Sequence, residues 1–141
     1  MKKEILWVLA VVIIAGGWYI WSSKPKSTPS LQPGEQAGLV AQNTTVTYDG
    51  SSFSPSSVAI KKGGTVTFAG TSDMWVASNV HPSHEGYSGT TKAQHCPDTA
   101  GTAFDECGKG ASYAFTFQKT GSWDYHDHAN PAAGGLVNVV E

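Results

Sequence analysis

The sequence predicts an all-β domain of the sandwich or barrel class, preceded by one transmembrane helix. After residue 43, apolar and polar residues alternate with a period of two, which is typical of half-buried strands. Glycine occurs 16 times in 141 residues, and it is costly inside helices but common in turns. An uncharged apolar segment near the N-terminus predicts the helix.

The apolar segment covers residues 5–21 and contains no charged side chain. A helix of about 17 residues is at the short end of what spans a bilayer. Aromatic residues cluster at positions 18–21, as in an interfacial belt. A cleaved signal peptide is the alternative, but bulky aromatics follow the only small-residue cluster, at 15–17. We therefore expect residues 1–22 to be an uncleaved membrane anchor rather than a signal peptide.

The flanking charges and the next segment predict how the chain is placed. Lys2 and Lys3 favour a cytoplasmic N-terminus, although Lys24 and Lys26 weaken the asymmetry. We expect a single-pass cell-membrane protein with its domain on the extracytoplasmic side. Three prolines and many small polar residues in 23–42 predict a linker that holds the domain off the membrane.

The predicted domain covers residues 43–141, and none of it carries a helical period. Alternation and glycine-rich boundaries predict strands at 45–48, 53–60, 65–68, 112–117, 122–126 and 136–140. A Lys-Lys-Gly-Gly turn at 61–64 is expected between the second and third strands. The long polar stretch at 79–110 is of a kind that is usually functional or cross-linked.

Cys96 and Cys107 lie eleven positions apart inside this polar stretch. In a domain outside the cytoplasm, we expect the two cysteines to form a disulfide bond. Ligation of a metal by one or both thiolates is the alternative that the sequence leaves open.

The charge of the domain excludes one class of partner. From residue 43 onward, five lysines stand against nine acidic residues, which gives a net charge of −4. A protein that binds nucleic acid needs a basic face to displace counterions from the phosphates. We therefore expect no nucleic-acid partner and interpret the acidity as favouring solubility.

Two segments resemble a known family in their order and residue pattern. Residues 53–68 read FSPSSVAIKKGGTVTF, and residues 121–126 and 130–140 read GSWDYH and NPAAGGLVNVV. They are similar to the second and third strands and to the last two strands of the cupredoxins, the small blue-copper proteins. The resemblance implies a Greek-key β-sandwich or barrel of cupredoxin type over residues 43–141.

The copper ligands of that family are missing in kind. The resemblance places Asp127 at the position of the cysteine ligand, Asn130 at the second histidine and Ala133 at the methionine. The first histidine falls near residues 74–76, which are Met, Trp and Val. A thiolate-to-copper charge-transfer site cannot form with this set, so we predict that the protein is not an intensely blue electron carrier.

Histidines offer a different ligand set. Four of the five form two close pairs: His81 with His84, and His126 with His128. The family's architecture brings the loops of both pairs to one end, and imidazoles suit copper, zinc and nickel. We predict that these four bind copper, although exposed edge residues would give the same pattern.

Other residues near the histidines have predicted supporting roles. We expect Asp127 and Glu85 to accept the second ring N–H of a ligand. His95 is interpreted as structural or exposed, and Met74 as a core residue.

Three functions follow as hypotheses. The first is a membrane-anchored cupredoxin-like protein that binds copper for copper handling or electron transfer, with a redox or copper-delivery protein as partner. The second is a metal-free structural or interaction domain that keeps the fold. An enzyme is the third, but no nucleophile–base pair, phosphate-binding loop or acid pair is present in the sequence, so we expect none.

Overall fold

The computed structural model describes residues 40–141. Within this range, no helix is both long and apolar enough to cross a membrane. The predicted anchor at 1–22 lies outside the described residues, as does nearly all of the predicted linker at 23–42.

The described residues are mostly β-strand, which confirms the predicted class. In chain order the elements are β1 (Ala41–Tyr48), β2 (Phe53–Ser54), β3 (Ser57–Met74), β4 (Val76–Ser78), α1 (Lys92–His95), β5 (Gly110–Phe117), β6 (Gly121–Asp127) and β7 (Asn130–Val140). The single-turn helix α1 was not predicted, because four residues are too few to show a helical period.

The strands form two halves that share β3. The order along the hydrogen-bonded path is β2-β1-β3-β7-β6-β4, and β5 pairs with β3 beside it. The first part of β3, residues 57–61, runs parallel to residues 136–140 of β7. The later part, from residue 64 to 69, pairs with β1 and β5. One long strand therefore belongs to both layers of the sandwich.

The predicted turn at 61–64 is wrong, because β3 continues through it. The two glycines instead allow the bend at which β3 changes partners. Gly63 has a φ of +78°, which residues other than glycine rarely adopt. A Cβ on Gly64 would lie only 2.6 Å from the carbonyl oxygen of Lys61 and would overlap that of Gln42. Glycine at 64 is thus required by the close approach of β1.

Aromatic side chains join the two layers in the core. Phe68 of β3 lies 5.0 Å from the ring of Tyr125 of β6 and 5.8 Å from that of Phe104. Phe53 of β2 lies 5.0 Å from Tyr125 as well. Each such pair contributes about 0.5–1.5 kcal/mol beyond the burial of its area. Met74 is fully buried in the same core, as predicted.

The predicted disulfide between Cys96 and Cys107 is confirmed. It closes an eleven-residue loop within the long segment between β4 and β5. A loop of this size contributes roughly 2–3 kcal/mol by restricting the unfolded chain. No cysteine in the described part of the chain is free, so thiolate ligation of a metal does not apply to this state.

Glu106, which directly precedes Cys107 within this loop, supports β4. One of its carboxylate oxygens accepts a hydrogen bond from the backbone N–H of Val76 at 3.0 Å. Burial, and then the charges of Asp105 and Asp127, raise the pKa of Glu106 to about 7. Between pH 4.5 and about 7, the Glu106 carboxyl group is therefore mostly protonated in the folded protein and mostly ionised in the unfolded chain, where its pKa is the ordinary 4.5.

We predict that this proton makes stability depend on pH. Because the folded-state pKa is raised, the free energy of unfolding falls as pH rises from 4.5 to about 7. Glu106→Gln keeps the acceptor for Val76 and cannot ionise, so urea unfolding of the metal-free variant will show a smaller fall over this range. Glu85→Gln, at an exposed position, is the control and should follow the wild-type profile. Equal slopes for Glu106→Gln and the wild type would contradict the interpretation.

Candidate metal centre

The pairing of β4 with β6 positions both histidine pairs. These strands run antiparallel, with Ala77 opposite His126 and Ser78 opposite Tyr125. The chain that leaves β4 carries His81 and His84, whereas His126 lies within β6 and His128 directly follows that strand. A hydrogen bond of 2.8 Å from the backbone N–H of His128 to the carbonyl oxygen of Trp75 extends the pairing. The two segments are therefore held side by side at one end of the sandwich.

The structure brings the four predicted histidines together. One ring nitrogen from each lies within 4.8 Å of those of the other three. His81 Nδ1 lies 3.2 Å from His126 Nε2, and His84 Nε2 lies 2.9 Å from His128 Nδ1. The set thus consists of two Nδ1 and two Nε2 atoms that face a common centre.

Hydrogen bonds fix the orientation of two of the rings. His84 Nδ1 donates to the carboxylate of Asp105 at 2.6 Å, and His126 Nδ1 donates to the side-chain oxygen of Asn79 at 2.9 Å. A neutral imidazole carries its proton on only one nitrogen. Both Nε2 atoms therefore present a lone pair to the cluster.

The surroundings oppose protonation of two of the four rings. Burial, and then the neighbouring His84, His81 and His128, lower the pKa of His126 to about 4. Burial and the nearby Lys92 also lower the pKa of His128. Because metal binding requires unprotonated imidazole, these rings are in the ligating form at neutral pH.

Two of the nitrogen separations fit bonds to a shared metal ion. With metal–nitrogen bonds of about 2.0–2.1 Å, neighbouring ligands lie about 2.8–3.4 Å apart, from square-planar to tetrahedral angles. The observed separations of 2.9 and 3.2 Å fall in this range. The residues present therefore suit a divalent ion that prefers nitrogen ligands.

One side of the cluster is buried and the other is open. His84 is 0% exposed and His126 is 3% exposed. His81 is exposed, and His128 is half-buried with its ring 4.2 Å from that of Trp75. An ion or a partner can reach the cluster from the side of His81.

Asp105 belongs to the site, although no pattern in the sequence pointed to it. It is 3% exposed, and one of its oxygens accepts from both His84 and His95. The other accepts from Trp75 Nε1 and from the backbone N–H of Cys107, both at 2.8 Å. Burial opposes ionisation, but these hydrogen bonds outweigh it and hold the pKa of Asp105 well below its usual range. Its position in a loop 21 residues after His84 left no signal in the sequence.

The predicted supporting roles of Asp127 and Glu85 are wrong. Asp127 accepts hydrogen bonds from the hydroxyl of Tyr48 at 2.7 Å and from the backbone N–H of Trp75 at 3.0 Å. Successive side chains on a strand point to opposite faces, so Asp127 turns away from the face of His126. Glu85 is exposed, and among residues 40–141 its side chain bonds to none of the four histidines.

A second group of metal-ligating residue types lies next to the first: His95, Cys96, Asp105 and Cys107. Its two sulfur atoms are bonded to each other, and its carboxylate is already bonded to His84. His95 donates from Nε2 to Asp105 at 3.0 Å, which agrees with its interpretation as a structural residue. In this state the group supports the histidine cluster and offers no free thiolate.

No family model matches the chain, and no curated protein does. Several solved structures are similar. A purple cupredoxin from Nitrosopumilus maritimus is 18% identical over 69% of this chain and 99% of its own, with a TM-score of 0.45. An amicyanin from Paracoccus versutus is 24% identical over 74% of this chain and 87% of its own, with a TM-score of 0.47. A pseudoazurin from Sinorhizobium is 20% identical over 70% of this chain and 74% of its own, with a TM-score of 0.48.

These similarities concern the fold and leave the ligands open. The solved structures that resemble the chain are cupredoxins, the family that residues 53–68, 121–126 and 130–140 resemble. None of these similarities shows what the site binds.

Proposed function

We propose that the chain is a membrane-anchored, extracytoplasmic, cupredoxin-like protein that binds copper for copper handling or electron transfer. Four histidines would hold the ion: His81, His84, His126 and His128. The observation that carries the proposal is their convergence, with a nitrogen–nitrogen separation of 3.2 Å in one pair and 2.9 Å in the other. The proposed role is one of binding and redox exchange rather than catalysis.

The donor set favours copper over other ions. All four atoms are imidazole nitrogens. Among the divalent first-row ions, Cu²⁺ binds most tightly to such sites. The four candidate ligands include no carboxylate, the ligand type that suits magnesium and calcium. Without a thiolate among the ligands, the copper-loaded protein is expected to lack the intense blue colour of a copper–cysteine site.

The four ligands divide into two kinds. His84 and His126 are buried and fixed by Asp105 and Asn79, so they would hold the ion in place. His81 lies on the exposed side, where a redox or copper-delivery protein would approach. This division supports a site that exchanges copper or electrons with a partner.

A copper titration of the metal-free protein tests the proposal. We expect one equivalent of Cu²⁺ to bind and to raise the free energy of unfolding by about 2.7 kcal/mol at a free concentration of 100 Kd. The double variant His126→Ala, His128→Ala should lose both effects. Glu85→Gln is the control, because this exposed carboxylate lies next to His84 in sequence but outside the cluster.

A metal-free structural or interaction domain is the second candidate, and the absence of the family's cysteine ligand at Asp127 favours it. Its signature would be an unfolding temperature that does not change with copper, together with no stoichiometric copper in the purified protein. That outcome would contradict the copper proposal directly.

The membrane location rests on the sequence of residues 5–21. We expect the full chain to sediment with membranes and to resist extraction by alkaline carbonate. The double variant Val11→Lys, Ile14→Lys places two charges in the apolar segment and should release the chain, because charges are costly at the bilayer centre. Carbonate extraction of the unmodified chain would contradict the anchor.

Lys92 opposes the binding of a cation at the open side. Its Nζ lies 3.5 Å from His128 Nε2 and 5.2 Å from the centre of the Trp75 ring. In the metal-free protein the ammonium can donate to His128 Nε2. When Nδ1 binds a metal, the ring proton must lie on Nε2, and it then faces the Lys92 charge.

We predict that Lys92→Met raises the affinity for Cu²⁺ by about 3- to 10-fold at low salt, because one nearby positive charge is removed. The gain should shrink as salt is added. Lys109→Met is the control, since this exposed lysine pairs with Asp73 at 3.7 Å. Competition with a chromophoric chelator measures both, and an unchanged affinity for Lys92→Met would rule the effect out.

A further inference from the structure

The histidine that the structure holds most firmly is His84, which is 0% exposed. Its Nδ1 donates to Asp105 at 2.6 Å, and its backbone N–H donates to the carbonyl oxygen of Val80 at 2.7 Å. Its own carbonyl oxygen accepts from the hydroxyl of Ser78 at 2.8 Å. Both the backbone and the ring of His84 are therefore fixed before any ion binds.

Asp105 is fixed in the same way. Four donors surround its carboxylate: His84 Nδ1, His95 Nε2, Trp75 Nε1 and the backbone N–H of Cys107. The side chain of Asp105 has no exposed area, so water does not compete with these donors. The disulfide from Cys96 to Cys107 closes the loop that carries it. The loop thus behaves as a rigid support for one carboxylate.

We propose that Asp105 is the positioning residue of the metal centre: it holds the ring proton of His84 on Nδ1, directs Nε2 into the cluster, and favours Cu²⁺ over Cu⁺. This inference rests on the proposed function. A buried carboxylate that accepts from a ligating imidazole fixes the ring and makes its other nitrogen a better donor. Its negative charge attracts a divalent ion about twice as strongly as a monovalent one at the same distance.

This role distinguishes Asp105 from the other buried carboxylate near the site. Asp127 is 2% exposed, but its partners are Tyr48 and backbone N–H groups. Asp127 therefore supports the strand end, while Asp105 acts on a ligand. Asp127 thus stabilises the fold, whereas Asp105 orients a metal ligand.

Affinity measurements on Asp105→Asn test the proposal. We expect the Cu²⁺ affinity to fall by about 10- to 100-fold, and the Cu⁺ affinity to fall by a smaller factor, so that the reduction potential rises. Asp105→Glu, which keeps the charge, should restore part of the preference for Cu²⁺. Asp98→Asn is the matched control, because Asp98 lies in the same disulfide loop and, within residues 40–141, accepts a hydrogen bond only from the backbone N–H of Ala103, at 2.7 Å.

The wild-type protein provides a second test that does not depend on a folded variant. Nitrogen-15 NMR of the metal-free protein should find His84 protonated at Nδ1 and unprotonated at Nε2. A proton on Nε2 of His84 would overturn the proposal. So would an Asp105→Asn variant that binds Cu²⁺ as tightly as the wild type does and Cu⁺ as tightly as the wild type does. A wild type that binds no copper would instead refute the proposed function, and the NMR result would still decide whether Asp105 positions the ring.

Discussion

The short pairing of β4 with β6 is the constraint on which the site depends. Only three residues of β4 take part, yet they fix His126 on the neighbouring strand, beside the point where the chain enters the loop of His81 and His84. The pairing is supported by the aromatic core, since Tyr125 of β6 packs against Phe53 and Phe68. The histidines at 81 and 126 are 45 residues apart in sequence and meet because these two strands are neighbours.

Electrostatics decides which kind of site this end of the sandwich can form. Burial and the proximity of the other imidazoles oppose protonation of His126. The nearest negative charge, Asp105, stands behind His84, and the nearest positive charge, Lys92, stands beside His128. A cation between the rings would balance the buried carboxylate, whereas a thiolate ligand would require a cysteine that this cluster does not contain.

The sequence was sufficient to predict most of the strands and the histidine set, because both depend on local pattern. It did not predict β4, because three residues are too few to show alternation. Period-two alternation marked β1 and β5, and the histidine pairs were visible as close spacings. The bend of β3 at Gly63 was mistaken for a turn, since both use glycine. Asp105, for which the sequence predicted no role, fills the role expected of Asp127, because the direction of a side chain depends on register and on loop packing, which spacing does not reveal.

X-ray absorption spectroscopy of the copper-loaded protein tests the central claim most directly, since it counts the ligand atoms and identifies their elements. Three or four imidazole nitrogens at about 2.0 Å, with no sulfur in the first shell, are expected. A sulfur ligand at about 2.3 Å, the distance typical of a metal–thiolate bond, or a copper ion bound by fewer than three imidazoles, would contradict it.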